Sequence, residues 1–213
     1  MVENIEFVKH NSIKIKGSKI IYIDPYKIEE AFNDADYVFC THSHYDHFSP
    51  EDITKIMKNN TTIITVKDAK IDAEKLVNNV MIVEPNREYT IGDISFKTTY
   101  AYNENKQFHP KENGWVGFII NLDGMEYFVA GDTDNVPEIR NVKCDVALLP
   151  VGGTYTMNVE EAAGLANVID AKAVVPTHYG VIVGGKEDGS KFEKLVSNKR
   201  VEIKYWYQLN NRL

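Results

Sequence analysis

The sequence has few cysteines, no long apolar run and no cluster of basic residues, and each shortage excludes a class of protein. Cys40 and Cys144 are the only cysteines among 213 residues, so the chain is not a disulfide-stabilised secreted scaffold. Both lie in or beside apolar runs, which predicts buried free thiols in a reducing compartment. No apolar run approaches the roughly 20 residues that span a bilayer, and the acidic residues near Met1 do not fit a signal peptide. We therefore expect a cytoplasmic protein.

Basic residues are outnumbered. The chain carries 24 Lys and Arg against 31 Asp and Glu, which gives a net charge of -7 at pH 7. An acidic surface repels phosphate backbones unless a local basic patch overrides it, and the sequence has no run of Lys or Arg suited to that. Nucleic acid and membrane are therefore not expected as partners. We expect a small-molecule substrate, and self-association into a homo-oligomer is left open.

The composition and length are those of one globular domain. Hydrophobic residues make up 43% and charged residues 26% of the chain, which is ordinary for a globular protein. A chain of 213 residues can form one well-buried domain and is short for two. The sequence contains no internal linker, repeat or low-complexity stretch. A single domain over residues 1–213 is predicted.

Apolar and alternating runs predict many strands early in the chain and alternating strands and helices in its last third. Asp123-Gly124 separates two apolar runs and is typical of a hairpin turn. In the last third we predict a helix over Val159–Val168, with Asn158 as its N-cap, and a final strand over Val201–Tyr205. This order favours an α/β fold in which two packed sheets carry helices on their outer faces.

Three of the six histidines fall within six residues. They follow the apolar, β-rich run Tyr37–Thr41 and precede a predicted helix. In an extended loop His42 and His44 point to the same side, so two imidazoles can bind one ion. Asp46 and His47 then turn toward a neighbouring point, which suits a second ion. The pattern predicts a metal centre rather than a histidine-rich surface loop.

Four side chains this close together need remote partners to enclose two ions. Asp132 directly follows the apolar strand predicted at Tyr127–Ala130 and Gly131, and His178 follows the one predicted at Ala173–Val175. Both therefore occupy the same kind of position, at the carboxyl end of a strand. Asp132 could instead cap a turn, and His178 could be a half-buried structural imidazole. Because the short motif alone has too few ligands for two ions, we interpret both residues as further metal ligands.

The order of these motifs resembles the metallo-β-lactamase superfamily, and in particular its branch of metal-dependent hydrolases similar to the L-ascorbate-6-phosphate lactonase. The phrases that carry the closer resemblance are Phe108-His109-Pro110-Lys111, Ala130-Gly131-Asp132-Thr133-Asp134, Leu149-Pro150-Val151-Gly152-Gly153-Thr154-Tyr155-Thr156-Met157 and His178-Tyr179-Gly180. The resemblance runs from about Ile20 to Gly185. It implies an αβ/βα four-layer sandwich of the α/β class, with the metals at one edge of the two sheets.

The resemblance also implies a ligand set. It assigns three ligands to the first ion, namely His42, His44 and His109. It assigns three to the second ion, namely Asp46, His47 and His178, and makes Asp132 a bridge between the two ions. His109 lacks the His-x-x-Gly-His phrase found in many relatives, but it is the histidine available between the first cluster and Asp132. Asp24, before Pro25, matches a family aspartate near the site. It is expected to orient a ligand imidazole by a hydrogen bond, the alternative being a plain turn residue.

The glycine-rich phrase around Gly153 is expected to form a loop at the mouth of the site. Glycine permits close backbone approach to a ligand, and Tyr155 has a hydroxyl that can donate to a substrate oxygen. Tyr179, Tyr102 and Asn103 are further candidates for the lining of the same pocket, with packing inside the sandwich as the alternative. The remaining histidine of the N-terminal region, His10, is interpreted as an ordinary strand residue.

This ligand set predicts a metal-dependent hydrolase. Two divalent ions about 3.5–4 Å apart lower the pKa of a shared water and supply hydroxide for direct attack, without a covalent intermediate. Asp46 and Asp132 are the predicted catalytic residues, which orient that hydroxide and accept its proton. Zinc suits the imidazole-rich set, and manganese, iron or nickel also fit mixed His/Asp sites. The expected substrate is a small ester, lactone or phosphorylated metabolite.

Three alternatives remain open. The first is a phosphodiesterase acting on nucleic acid or a phospholipid headgroup, which the acidic charge disfavours. The second is a di-iron redox protein, which would need a separate partner to supply electrons. The third is a metal-binding protein without catalytic activity. A broad ester and phosphodiester panel distinguishes the hydrolases from the other two classes.

Overall fold

The computed structural model describes residues 2–204, which form two β-sheets that pack face to face with helices on both outer surfaces. The first sheet has six strands in the order β1-β2-β3-β4-β5-β6. Its strands are β1 (Ile5–Lys9), β2 (Ser12–Lys16), β3 (Ile20–Ile23), β4 (Ala35–Phe39), β5 (Met57–Thr65) and β6 (Asn79–Ile82). The strands β3 to β6 run parallel, whereas β1, β2 and β3 pair antiparallel.

The second sheet has seven strands in the order β13-β12-β11-β10-β9-β8-β7. Its strands are β7 (Glu88–Ile91), β8 (Ile94–Tyr100), β9 (Val116–Leu122), β10 (Met125–Val129), β11 (Lys143–Pro150), β12 (Asp170–Thr177) and β13 (Arg200–Val201). The strands β10 to β13 run parallel. The hairpin between β9 and β10 turns at Asp123 and Gly124, both with positive φ (54° and 77°), as predicted for this dipeptide.

In the described part of the chain, four α-helices cover the outer faces: α1 (Pro50–Ile56), α2 (Lys70–Leu76), α3 (Val159–Val168) and α4 (Asp188–Leu195). The N-terminus of α3 is stabilised by the predicted capping box, in which Asn158 and Glu161 bond to each other's backbone N–H groups. Within residues 2–204, no helix combines the length and apolar character needed to cross a bilayer.

Three buried clusters hold these layers together. The largest lies between the sheets, where Phe39 of β4 meets Phe96 of β8 and Phe118 of β9 with ring centroids about 5 Å apart. A second packs α3 and α4 on the second sheet, and a third packs α1 and α2 on the first sheet. The molecule therefore has the predicted four-layer αβ/βα arrangement, and burial of apolar area between the layers is its main source of stability.

The last strand is shorter than predicted. It covers Arg200–Val201, residues 202–204 have no strand structure, and Tyr205 lies outside the described residues. Both cysteines are free and buried, as predicted.

The topology brings the chemistry-bearing loops to one edge. Parallel strands end at the same side of a sheet, so the segments that follow β3, β4, β10 and β12 meet there. Asp24 follows β3 directly, His42 comes three residues after β4, Asp132 three residues after β10, and His178 directly after β12.

Candidate metal centre

The first group of candidate ligands comprises His42, His44 and His109, which offer ring nitrogens within 4.8 Å of one another. His42 Nε2 lies 3.0 Å from His44 Nδ1, so the two histidines of the short motif face the same point. His109 comes from the long loop between β8 and β9, and its ring centroid is 5.1 Å from that of His44. Three imidazoles from two segments therefore surround one small volume, which is a donor set that suits a divalent transition metal.

The second group surrounds the carboxylates of Asp46 and Asp132. Asp132 Oδ2 is 3.1 Å from His178 Nε2 and 3.3 Å from His109 Nε2, and its Oδ1 is 3.4 Å from His47 Nε2. Asp46 Oδ2 is 3.5 Å from His47 Nε2 and 3.9 Å from His178 Nε2. Asp132 thus faces His109 of the first group as well as His47 and His178, whereas Asp46 faces His47 and His178.

A glycine allows this close approach. Gly131 has φ of 68°, and a Cβ on it would lie 3.0 Å from the carbonyl oxygen of Val116 and 3.2 Å from the side chain of Thr41. Any larger residue would be strained in that backbone conformation and would push β10 away from the loop that carries His42. Gly131 therefore sets the distance between Asp132 and the short motif.

Asp24 orients two histidines of the short motif, His42 and His47, from the side opposite the site. Its Oδ2 accepts from His47 Nδ1 at 2.7 Å and from Thr41 Oγ1 at 2.9 Å. Since the Thr41 hydroxyl proton points to Asp24, its oxygen is left to accept from His42 Nδ1, 2.9 Å away. Asp24 thus assigns the proton of both imidazoles to Nδ1, directly for His47 and through Thr41 for His42. Both Nε2 lone pairs then point into the site.

Thr41 is therefore expected to tune the affinity of the first group for a metal ion. Thr41→Val keeps the shape of the side chain but removes the hydroxyl between Asp24 and His42, and we expect zinc affinity at the first group to fall roughly 10-fold. Competition with a chromophoric chelator measures this. Thr65→Val is the matched control, because Thr65 is fully buried and its hydroxyl has no hydrogen-bond partner in the described chain. Equal affinities in both variants would contradict the relay.

His109 is oriented by the loops that flank the site. Its Nδ1 lies 3.0 Å from Asn103 Oδ1 and 3.1 Å from the carbonyl oxygen of Tyr155. Both atoms only accept hydrogen bonds, so Nδ1 carries the proton and the Nε2 lone pair faces Asp132. The side chain of Asn103 also donates to the Tyr155 carbonyl at 2.9 Å. Sequence reasoning identified Tyr155 for its hydroxyl, whereas the contact that orients His109 comes from its backbone.

The three histidines of the short motif fall into two electrostatic classes. Burial lowers the pKa of His42 well below its usual range and also lowers the pKa of His44. Burial opposes protonation of His47 as well, but the carboxylates of Asp132 and Asp24 outweigh it and raise the pKa of His47 well above its usual range. Neutral imidazoles in the first class are ready to donate lone pairs, while a cation is favoured at the position of His47.

The carboxylates are ionised. Burial raises the pKa of Asp132, but His178 and His47 outweigh it and hold that pKa well below the usual value. Burial likewise opposes ionisation of Asp46, yet contacts with His10 and His47 lower its pKa to about 2. Two buried carboxylates among imidazoles form a site that attracts positive charge.

A small cavity of about 210 Å³ opens above this cluster. Its floor contains His44, Asp46, His109 and Asp132, and its rim consists of the side chains Tyr45, Phe108, Tyr155 and Ile182. The rings of Phe108 and Tyr155 meet edge to face, with centroids 4.7 Å apart. Gly153, with φ of 83°, turns the loop that carries Tyr155, but its N–H donates to the Met157 carbonyl rather than to the cavity.

Tyr179 does not line the cavity, contrary to the prediction. His178 has φ of 58°, which turns the chain so that successive side chains diverge: His178 faces the carboxylates, and Tyr179 packs against the cluster beneath α3 and α4. The hydroxyl of Tyr179 lies close to Gly189 of α4. Tyr102 also points elsewhere, with its hydroxyl 3.0 Å from Glu138 Oε2.

His10 belongs to the site, and its interpretation as an ordinary strand residue was wrong. It lies in the turn between β1 and β2 and is 3% exposed. Its Nε2 is 3.4 Å from Asp46 Oδ2, and burial lowers its pKa to about 4. With Asp46 and His178 it forms a third group whose donor atoms lie within 4.8 Å of one another. The sequence places His10 at the end of an alternating run, and nothing in that pattern indicates that this turn folds over the site.

Comparison with known proteins agrees with this geometry. Residues 4–178 match the family model described as the beta-lactamase superfamily domain. A UPF0173 metal-dependent hydrolase of Pyrococcus abyssi is 32% identical over 211 residues, which cover 92% of each chain. A UPF0173 metal-dependent hydrolase of Nanoarchaeum equitans is 30% identical over 210 residues, 93% of this chain and 94% of the relative.

Among solved structures, a protein of Parabacteroides distasonis named as a metal-dependent hydrolase matches with a TM-score of 0.79 and 29% identity, over 94% of this chain and 91% of that one. A metallo-β-lactamase superfamily protein of Thermotoga maritima matches with a TM-score of 0.62 and 21% identity, over 94% of this chain and 97% of that one. The chain therefore belongs to the metallo-β-lactamase superfamily, together with the metal-dependent hydrolases that it resembles.

Proposed function

We propose that this metal-dependent hydrolase uses two divalent cations to cleave a small ester, lactone or phosphorylated metabolite. The first ion is proposed to be held by His42, His44 and His109. The second is proposed to be held by Asp46, His47 and His178, and Asp132 is proposed to bind both. The three histidines His42, His47 and His109 are held with Nε2 toward the site by acceptors at Nδ1.

One observation carries the proposal. The Nε2 atoms of His47, His109 and His178 and the Oδ1 atom of Asp132 are buried and have no hydrogen-bond partner among the described residues. A buried polar atom without a partner is costly, and here four such atoms converge on one small volume. Divalent cations at this point would satisfy all four. The residues therefore fit the group that the superfamily implies.

The donor chemistry favours zinc. Five imidazoles and two carboxylates form a borderline set that zinc binds well, and manganese, iron or nickel also fit such a set. When bound, two such ions lower the pKa of a water to supply hydroxide and polarise the bond to be cleaved.

The protein's own carboxylates orient the nucleophile. Asp46 and Asp132 lie on the cavity floor, and both are ionised near neutral pH, so either can accept a proton from water there. The cysteines offer no competing nucleophile. Burial raises the pKa of Cys40 well above its usual value and that of Cys144 to about 12, so neither is a thiolate at working pH.

The cavity favours an uncharged substrate. Its volume of about 210 Å³ is below the range of roughly 300–1,000 Å³ that is typical of drug-sized ligands. None of the described residues that line it is a lysine or arginine, so only the ions could neutralise the charge of a phosphate group. The aromatic rim of Tyr45, Phe108 and Tyr155 instead suits an apolar group next to the scissile carbonyl. Among the proposed substrates, we therefore favour a small ester or lactone with an apolar substituent.

A panel of substrates tests the function. Zinc-loaded protein is assayed against phenyl acetate, an aliphatic lactone, phenyl phosphate and bis-p-nitrophenyl phosphate, before and after removal of metal by a chelator and after zinc is added back. We expect hydrolysis of the ester or lactone that is lost with the metal and restored with zinc. Hydrolysis of none of these by protein that retains its metal would contradict the proposed function.

Phe108 is expected to contribute to binding rather than to the chemical step. Phe108→Ala removes part of the apolar rim, so we expect KM for an aryl ester to rise roughly 10-fold with kcat nearly unchanged. Phe32→Ala is the control, since Phe32 is similarly exposed (42% against 47%) but packs against Lys14, away from the cavity. A fall in kcat with constant KM would contradict this assignment.

A further inference from the structure

The turn between β1 and β2 contacts ligands that are proposed for the second ion. Its residue His10 has φ of 59°, a left-handed conformation that directs the side chain inward over the site. The ring of His10 packs on that of His178 with centroids 3.8 Å apart, and its carbonyl oxygen accepts from the His178 N–H at 3.3 Å. The next residue, Asn11, donates to Asp24 Oδ2 at 2.8 Å. This turn therefore braces the part of the site that would hold the second ion.

The side chain of His10 is buried without a normal hydrogen bond. Neither ring nitrogen has a hydrogen-bond partner within the described part of the chain, although Nε2 faces Asp46 Oδ2 at 3.4 Å. Desolvating an imidazole in this way is unfavourable, and a structural core position would be filled better by an apolar ring. A buried polar group that remains unsatisfied points to a functional contact.

We propose that His10 is a positioning residue for the second ion, with its Nε2 holding the Asp46 carboxylate and its ring holding His178. The inference rests on the proposed function, because it requires an ion at Asp46, His47 and His178. The groups that face His10 are Asp46, His178, His47 and the ring of Tyr26, whose centroid is 6.4 Å away. None of the ligands proposed for the first ion is among them, so the effect of His10 should be confined to the second ion.

Two substitutions separate this role from a structural one. His10→Phe keeps a ring against His178 but removes Nε2, and His10→Gln provides an amide nitrogen at a similar distance from the backbone. Metal-free wild type and variants are titrated with Zn²⁺ against a chromophoric chelator, and the two binding steps are fitted separately. Thermal unfolding of the metal-free proteins is measured in parallel.

For His10→Phe we expect the affinity for the second Zn²⁺ to fall about 10- to 100-fold, while that for the first changes less than about threefold. We expect His10→Gln to recover most of the loss. Metal-free His10→Phe is expected to remain folded, because the phenyl ring keeps the packing contact with His178.

Unchanged affinity for the second ion in His10→Phe would overturn the inference, as would an equal loss of both ions. Wild-type protein that binds no Zn²⁺ would contradict the proposed function itself and the inference with it. Binding of two ions with no effect of the substitution would contradict the role of His10 alone.

Discussion

Asp46→Asn is expected to lower kcat about 10²- to 10⁴-fold while leaving the fold intact. The substitution preserves the shape of the side chain but removes a carboxylate whose pKa is about 2 and whose Oδ2 faces His47 and His178 at 3.5 and 3.9 Å. It takes away both a proposed ligand of the second ion and the proposed proton acceptor on the cavity floor. Steady-state kinetics on zinc-loaded protein, with circular dichroism to verify folding, measure the effect.

The control for this substitution is Asp36→Asn. Asp36 is a hydrogen-bonded carboxylate on the first sheet that accepts from the Ile20 N–H at 2.8 Å and pairs with Lys58 at 2.7 Å. Its replacement should leave kcat unchanged, because it lies outside the cavity. Wild-type turnover by Asp46→Asn under metal saturation would refute the catalytic role of Asp46.

Asp132→Asn is expected to abolish tight binding of both ions, which distinguishes it from Asp46→Asn. The two oxygens of Asp132 face His109, His47 and His178 at 3.1 to 3.4 Å, so this carboxylate touches ligands of both groups. Removing its charge leaves imidazoles from both halves facing one another across a buried site. We expect Asp132→Asn to lose turnover entirely and Asp46→Asn to retain the first ion.

Zinc titration of the two variants tests this contrast. If Asp132→Asn retains one tightly bound ion and Asp46→Asn retains none, Asp132 does not bridge the two halves and the ligand sets have been assigned incorrectly. The melting temperature of the metal-free Asp132→Asn protein is also expected to fall, because His178 and His47 outweigh the burial of this carboxylate and hold its pKa well below the usual value, and removing one partner of a buried charged group is destabilising.

Much of the candidate site could be predicted because it follows from strand ends. The short motif with His42 and His44 follows an apolar run, and so do Asp132 and His178. Parallel strands bring such positions to one edge of a sheet. The glycine before Asp132 was also visible in the sequence. The helix cap at Asn158 and the hairpin turn at Asp123-Gly124 also follow from local chemistry.

The contacts that could not be predicted depend on how the layers pack. The turn at His10 reaches Asp46 because β1 and β2 join the first sheet next to β3, which alternation of apolar residues cannot reveal. Likewise, Tyr179 faces α4 because its neighbour His178 has positive φ. The proton position on His109 depends on a backbone carbonyl 46 residues away in the chain. A single sequence contains no local signal for any of these three.

Seven side chains from four segments are proposed to hold two cations. The metal content of the protein after saturation with Zn²⁺ and removal of excess ion by desalting tests this most directly. Two zinc ions per chain are expected, bound tightly enough to survive that step. A value of one or fewer would contradict this proposal.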